Sequence, residues 1–271
     1  MTIDALRAWY EAPLEELAIR PDWATTHEAL LTALEAGMVA ASERGPDGRW
    51  VAVPWVKKAI LAGFRATGVV PVEGWPGGAS DKAAYPPRVF GPADGIRVVP
   101  GGTSVRRGAR VESGVVIMPP SYINVGAVVG SGSMVDSHAL VGSCARVGRG
   151  VHLSAGVQLG GVLEPAGAVP VVVEDGVFVG AQAAVLEGVV VGERAVIAPG
   201  VILSASLTIH DLVNGKEYHR EVPPGAVVVS GSRPARGNYA REHGIQLYTP
   251  CIVKYRDEGT DASLTLEEAL R

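Results

Sequence analysis

The chain has 271 residues and a mass of 28.1 kDa, with 47% apolar and 19% charged side chains and a net charge of −4. Such a composition supports a sizeable core and excludes a disordered chain, and the acidic balance argues against nucleic acid as a partner because no basic surplus is present to displace counterions. The most apolar stretch, Val171 to Leu203, is broken by Glu174, Asp175, Glu187, Glu193 and Arg194, so no membrane span is expected, and Met1–Tyr10 carries Asp4 and no apolar run of the kind a secretory leader needs.

Residues 1–96 read as a mostly helical domain. Thr25 and Glu28 have capping-box spacing ahead of the apolar run Ala29–Leu34. Pro54 suits the first turn of a second helix, in which Ile60 and Phe64 share a face and Lys57, Lys58 and Arg65 are polar neighbours. Gly74 to Pro87 is rich in turn residues and reads as a linker.

Residues 97–231 follow a different rule. From Val105, every sixth residue up to Leu159 is a branched aliphatic (Val111, Ile117, Ile123, Val129 and so on), and the fifth residue of each hexad is small or aliphatic. The frame then slips by two residues and resumes from Val173 to Ile209. A period of six with two apolar sites is neither a helix nor an alternating strand. It fits a parallel β-solenoid of hexapeptides whose short strands point two side chains inward. Glycine recurs at the second and fourth positions, where tight corners need it (Gly108, Gly126, Gly142). The slip places an inserted loop within Gly161–Val172, and solenoids expel such loops on one face.

Asn214-Gly215 predicts a hairpin turn, Val222–Gly231 a last solenoid strand, and residues 232–271 a small C-terminal cap ending in a short helix opened by Thr265 and Glu268. Cys144 and Cys251 have no metal or redox spacing and read as ordinary thiols of a reducing, cytoplasmic compartment; no metal site is expected.

Hexapeptide solenoids resemble the left-handed parallel β-helix acyltransferases, in which three hexads make a coil and three chains a trimer. The likeness tightens in Arg97–Pro100, Ser121–Gly126, Met134–Asp136, Val141–Ala145, Val151–Ser154, Gly160–Pro165 and Val227–Gly231, and in Trp55–Lys58 and Phe64-Arg65 of the helical part. In order and spacing these motifs are similar to the tetrahydrodipicolinate N-succinyltransferases, over nearly the whole length. The resemblance implies transfer of succinyl from succinyl-CoA to the amino group of the ring-opened substrate, in lysine and diaminopimelate synthesis. It implies no permanently bound cofactor, a small amino-acid acceptor, and a homotrimer with sites shared between subunits. It also marks Arg97 and Asp136 as substrate-binding, Asp136 as catalytic, and Gly161, Ala181, Gly200 and Ser230 as lining the donor's path. Attack of an amine on a thioester needs a proton acceptor, donors for the thioester oxygen, and a cation for a substrate carboxylate.

One departure bears on the chemistry. Where the family reads Gly-Ala-Arg-Ser-Glu-Val, this chain reads Gly180-Ala181-Gln182-Ala183-Ala184-Val185, so Ala184 stands in place of a glutamate. His138, outward at the fourth position of its hexad, is the candidate replacement base, since imidazole titrates near neutrality. Glu164 on the inserted loop is a weaker one. The stretch Asn238–Tyr248 is longer than the family's connection, which leaves acetyl-CoA open as donor. Three readings follow: the lysine-pathway enzyme, a paralogue acylating a related amino acid such as a tabtoxin-type precursor, and a non-catalytic trimeric scaffold.

Overall fold

A computed structural model describes residues 1–75 and 77–257. From Arg97 onward the chain winds as a three-faced parallel β-helix of two-residue strands. Sheet A takes Arg97–Val98, Val116–Ile117, Met134–Val135, His152–Leu153, Phe178–Val179, Val196–Ile197 and the start of Ala226–Pro234. Sheet B takes Ser104–Val105, Tyr122–Ile123, Leu140–Val141, Gln158–Leu159, Ala184–Val185 and Ile202–Leu203. Sheet C takes Arg110–Val111, Val128–Val129, Arg146–Val147, Val172–Val173, Val190–Val191 and Glu221–Val222. The second residue of each strand points inward, and these aliphatics form one continuous dry core with the fifth-position residues. Two buried serines interrupt the aliphatic fifth positions, Ser121 and Ser133, and both are consumed by backbone: the Ser121 hydroxyl donates to Met118 O and Asp136 O, and Ser133 links Gly148 O to Val151 N.

The fourth hexad position is the corner. Glycine holds a positive φ there in most coils, and His138, Cys144, Gln182 and Arg194 adopt the same left-handed conformation, with φ of 63°, 66°, 59° and 57°. A side chain in this region costs roughly 1–2 kcal/mol, which the hydrogen-bonded coils above and below impose.

Two interruptions differ from expectation. Val147 pairs with Val173 whereas Val129 pairs with Val147, so the coil holding Gly161–Pro170 is eight residues longer than its neighbours, not two. Leu163, counted by periodicity as an inward hexad residue, packs instead on the helical core. Ile209 likewise heads no hexad: it lies in the hairpin Thr208–Asp211/Lys216–His219, although it remains buried. The Asn214-Gly215 turn of that hairpin is braced by the Asp211 carboxylate, which accepts from Val213 N, Asn214 N and Asn214 Nδ2.

The N-terminal residues form helices α1 (Ile3–Trp9), α2 (Leu14–Leu17), α3 (Trp23–Glu35) and α4 (Pro54–Ala66), with a hairpin, Ser42–Arg44/Trp50–Ala52, between the last two. Pro54 opens α4, where its missing N–H costs nothing. Thr25 and Glu28 lie inside α3 rather than at its start, which Asp22 precedes. The turn-rich stretch after Gly74 contains a short strand, Ser80–Lys82, paired with Val69–Pro71. The helices bury their own cluster, Leu6, Tyr10, Leu30, Leu31, Leu34 and Ile60 among others, and seat it on the corner between sheets B and C through Val125 and Cys144. Gly108 and Gly126 permit this seating: a Cβ would come within 2.9 Å of Leu31 Cδ2 at the first and 2.8 Å of Ile60 Cδ1 at the second. Arg107 adds ion pairs of 2.7 Å to both Glu28 and Glu35 of α3.

The C-terminal segment runs back along the molecule. Ala226–Pro234 pairs antiparallel with Gln246–Tyr255 across the short helix α5 (Asn238–Glu242). Tyr248 Oη accepts from Ile202 N at 2.7 Å and donates to Ile202 O at 2.9 Å, capping the open edge of sheet B. The helix expected at Thr265–Glu268 lies outside the described residues. Among the described residues no helix is long and apolar enough to cross a membrane.

Candidate active site

With the helical domain on the B/C corner, the corner between sheets A and B is left bare. It stacks Met118–Ser121, Asp136–Ala139, Ser154–Val157, Gly180–Ala183 and Ala198–Val201 in register. Hydrogen bonds between coils hold the stack: His138 N to Pro120 O at 2.6 Å, Gly156 N to Ser137 O at 2.8 Å, Gln182 N to Ala155 O and Gly200 N to Ala181 O, both at 2.9 Å.

Asp136 and His138 share one turn of this corner. Asp136 is half-buried, and its Oδ1 accepts from Ser137 N at 2.7 Å while Oδ2 has no partner among the described residues. Its backbone is pinned from both sides, with N donating to Leu153 O and O accepting from the Ser121 hydroxyl at 2.8 Å. The carboxylate is therefore oriented, with one oxygen left for a ligand. His138 is exposed and its ring bonds to nothing among the described residues. No hydrogen bond or ion pair joins it to Asp136. Its carbonyl accepts from Gln158 Nε2 at 3.2 Å.

Along the same corner, Ala181 and Gly200 supply the small residues. A Cβ on Gly200 would meet nothing within 4 Å, so its φ of +71° and not crowding selects glycine, and the space above it is open. The amides of Ala155 and Ala181 donate to nothing among the described residues, which leaves two unfilled N–H groups along the corner. Third-position amides carry no signal in side-chain chemistry, so residue-by-residue reading passes over them.

The remaining candidates lie elsewhere. Arg97 is exposed at the head of the first sheet A strand, two rungs, or about 10 Å at ordinary strand spacing, from Met134. Gly161 sits at the B/C corner, where a Cβ on it would come within 2.8 Å of Ser143 N and one on Gly142 within 2.2 Å of Gly161 N. Close stacking of coils therefore requires both glycines. Ser230 is exposed on the last strand, opposite Pro250. Ala184 faces outward from sheet B between Gln158 and Ile202, and the outward column of that sheet (Ser104, Tyr122, Leu140, Gln158, Ala184, Ile202) contains no carboxylate. Glu187 is engaged in a turn, accepting from Ala205 N at 3.0 Å, and Glu164 is exposed on the inserted loop. That loop is tied down by buried Lys57 of α4, whose Nζ donates to Ala168 O; burial pulls the lysine's pKa down. No group of three or more side chains suited to hold a metal ion occurs among the described residues.

Comparison with known proteins agrees with this architecture. Residues 7–66 match the family described as "Tetrahydrodipicolinate N-succinyltransferase N-terminal", and residues 170–205 match "Bacterial transferase hexapeptide (six repeats)". A 2,3,4,5-tetrahydropyridine-2,6-dicarboxylate N-succinyltransferase of Methylobacterium sp. (strain 4-46) is 44% identical over 90% of this chain and 88% of its own length. The protein of the same name from Paramagnetospirillum magneticum is 42% identical over 100% of this chain and 97% of its own.

Proposed function

The chain belongs to the 2,3,4,5-tetrahydropyridine-2,6-dicarboxylate N-succinyltransferase family, and we propose that it is a cytoplasmic CoA-dependent acyltransferase of lysine and diaminopimelate synthesis. The acceptor amine attacks the thioester carbonyl of succinyl-CoA, the C–S bond breaks, and an amide forms. The amine gives up one proton and the departing thiolate takes one up, so a base at the edge has only to relay it.

The observation that carries this reading is the oriented Asp136 carboxylate beside an open corner. The free Oδ2 supports Asp136 as the acceptor of the amine proton. Arg97, along the same sheet, offers a guanidinium to a substrate carboxylate. The unfilled amides of Ala155 and Ala181 suit an extended amide-bearing arm such as pantetheine, which Gly200 lets approach. Gly161 and Ser230 lie off this corner and contact the donor only if its path crosses to another edge. His138 shares the corner and is the second candidate for proton transfer.

Among the described residues no element is packed across this corner as a facing wall, which supports a site completed by a neighbouring copy. A homotrimer meets that need, and sedimentation at the mass of a single chain would defeat the shared-site reading.

The absence of a carboxylate on the outward column of sheet B favours a second reading, in which a paralogue acylates a different amino acid. The deciding experiment is thiol release with succinyl-CoA or acetyl-CoA crossed with tetrahydrodipicolinate or L-2-aminopimelate, products identified by mass. Rapid turnover of succinyl-CoA with tetrahydrodipicolinate is expected. Donor binding without turnover of either acceptor would shift the assignment to the paralogue, and neither binding nor turnover to a scaffold.

A further inference from the structure

Sheet C, the face opposite the bare A/B corner, is roofed by the Ser42–Arg44/Trp50–Ala52 hairpin, and the two enclose a cleft of about 490 Å³. That volume falls in the range of small-molecule sites. Its floor is Val190 and Pro223, with Glu221 on the rung of sheet C next to Val190. One wall is the indole of Trp50, which is fixed in place: Nε1 donates to Glu174 Oε1 at 2.6 Å, and the Arg44 guanidinium lies 4.6 Å from the ring centroid while pairing with the same Oε1 at 2.5 Å. The other Glu174 oxygen accepts from Glu193 N at 3.2 Å. Arg44 and Glu174 thus satisfy one another.

The opposite holds for three other groups. Arg49, His219 and Arg220 line the same space, and their side chains make no hydrogen bond or ion pair among the described residues. Arg220 sits at φ 60°, a left-handed corner between two strands that holds its side chain at the cleft. The one unpaired acid beside them is Glu221. Two guanidiniums and an imidazole therefore line this cleft against a single unpaired carboxylate, with Val190 and Pro223 beneath and the Trp50 indole as a wall.

We propose that this cleft binds a small organic oxyanion, a carboxylate or phosphate ester on an apolar body, with Arg49 and Arg220 holding the acid and Trp50 and the sheet C floor holding the body. Guanidinium forks match both kinds of oxyanion. Within one chain the cleft lies across the coil from Asp136, so its occupant is expected to leave the acyl donor bound.

The test is calorimetric titration of the intact protein with benzoate and with phenyl phosphate, each with and without saturating succinyl-CoA, repeated on the double variant Arg49→Gln, Arg220→Asn. Both substitutions are at the surface, and asparagine tolerates the left-handed corner, so folding is preserved. One probe per chain is expected to bind at low millimolar concentration or tighter, at least tenfold more weakly in the double variant, and undisplaced by succinyl-CoA. Tighter phenyl phosphate identifies a phosphate ester as the ligand class, and tighter benzoate a carboxylate. No binding of either probe, equal binding by the double variant, or displacement by succinyl-CoA would each overturn the proposal.

Discussion

The two corners that flank sheet B are made of the same hexads and differ in what meets them. At the B/C corner the fourth-position residues Gly108, Gly126 and Cys144 are pressed against the helical domain; burial pushes the Cys144 thiol up to about 12, so it is an inert packing group. At the A/B corner the fourth-position residues His138, Gln182 and Gly200 are exposed, with unfilled amides at Ala155 and Ala181. The repeat dictates the backbone of both. Which one stays open to a ligand is decided by where the helices dock, and the docking is a matter of apolar contact rather than of the repeat.

The largest effect should come from Asp136, the proposed proton acceptor on the A/B corner. Asp136→Asn keeps an oxygen for Ser137 N and is expected to leave the thermal midpoint unchanged while lowering kcat about 10²–10⁴-fold. An unchanged rate would move the base to His138 or to a neighbouring subunit. The covered corner should respond in the reverse manner. Ile60→Ala empties a fully buried site in the helical core, packed toward Gly126, and should cost about 2–5 kcal/mol by denaturant unfolding. If kcat fell in step with the midpoint, the two corners would be coupled rather than divided between stability and catalysis.

A smaller effect belongs to pH. His27 is buried against Trp23 and Tyr85, with Nε2 3.1 Å from Ala84 O, and burial lowers its pKa below the ordinary histidine value. The unfolded chain takes up the proton near pH 6.5 and the folded chain resists it, so stability falls as pH drops through that value. The loss is about 1.4 kcal/mol for each pH unit separating the folded from the unfolded pKa, and it stops growing below the folded pKa. Comparing unfolding midpoints at pH 7.5 and 5 (roughly one to two units either side of the histidine value) should show a drop in the native protein that His27→Gln reduces. An equal drop in both would assign the acid sensitivity elsewhere.

The inward half of the coil was legible because period six repeats whatever the neighbours do. The interruptions were not, for a physical reason: Val162, Leu163 and Val171 are aliphatic too, so a hexad frame runs through an eight-residue insertion with an apparent slip of two. Leu163 is apolar because it packs on the helices, not on the coil. Thr25 and Glu28 show the same limit, since capping-box spacing is as compatible with the interior of α3 as with its start. Hexad position correctly turned Asp136 and His138 outward. It did not separate Gly161, which is held by coil stacking, from Ala181 and Gly200, because glycine and alanine look alike at every corner. The helical docking that covers the B/C corner, the Lys57 tether and the Tyr248 clamp depend on contacts between residues far apart in sequence.

His138 tests the comparison most finely, because its two roles predict opposite signs. As a non-glycine residue at φ 63° it carries the strain of the left-handed region, and its exposed ring makes no bond among the described residues that offsets this. His138→Gly relieves that strain but frees the unfolded backbone, so the fold should change by less than about 1 kcal/mol, toward greater stability. His138→Ala keeps the strain and should not share the gain. If the imidazole only decorates the corner, both variants retain kcat and differ in midpoint alone. If it relays the amine proton, both lose kcat together, whatever their stability, and the acid limb of the pH–rate profile shifts with them. A histidine retained where glycine would fold better is then explained by the reaction.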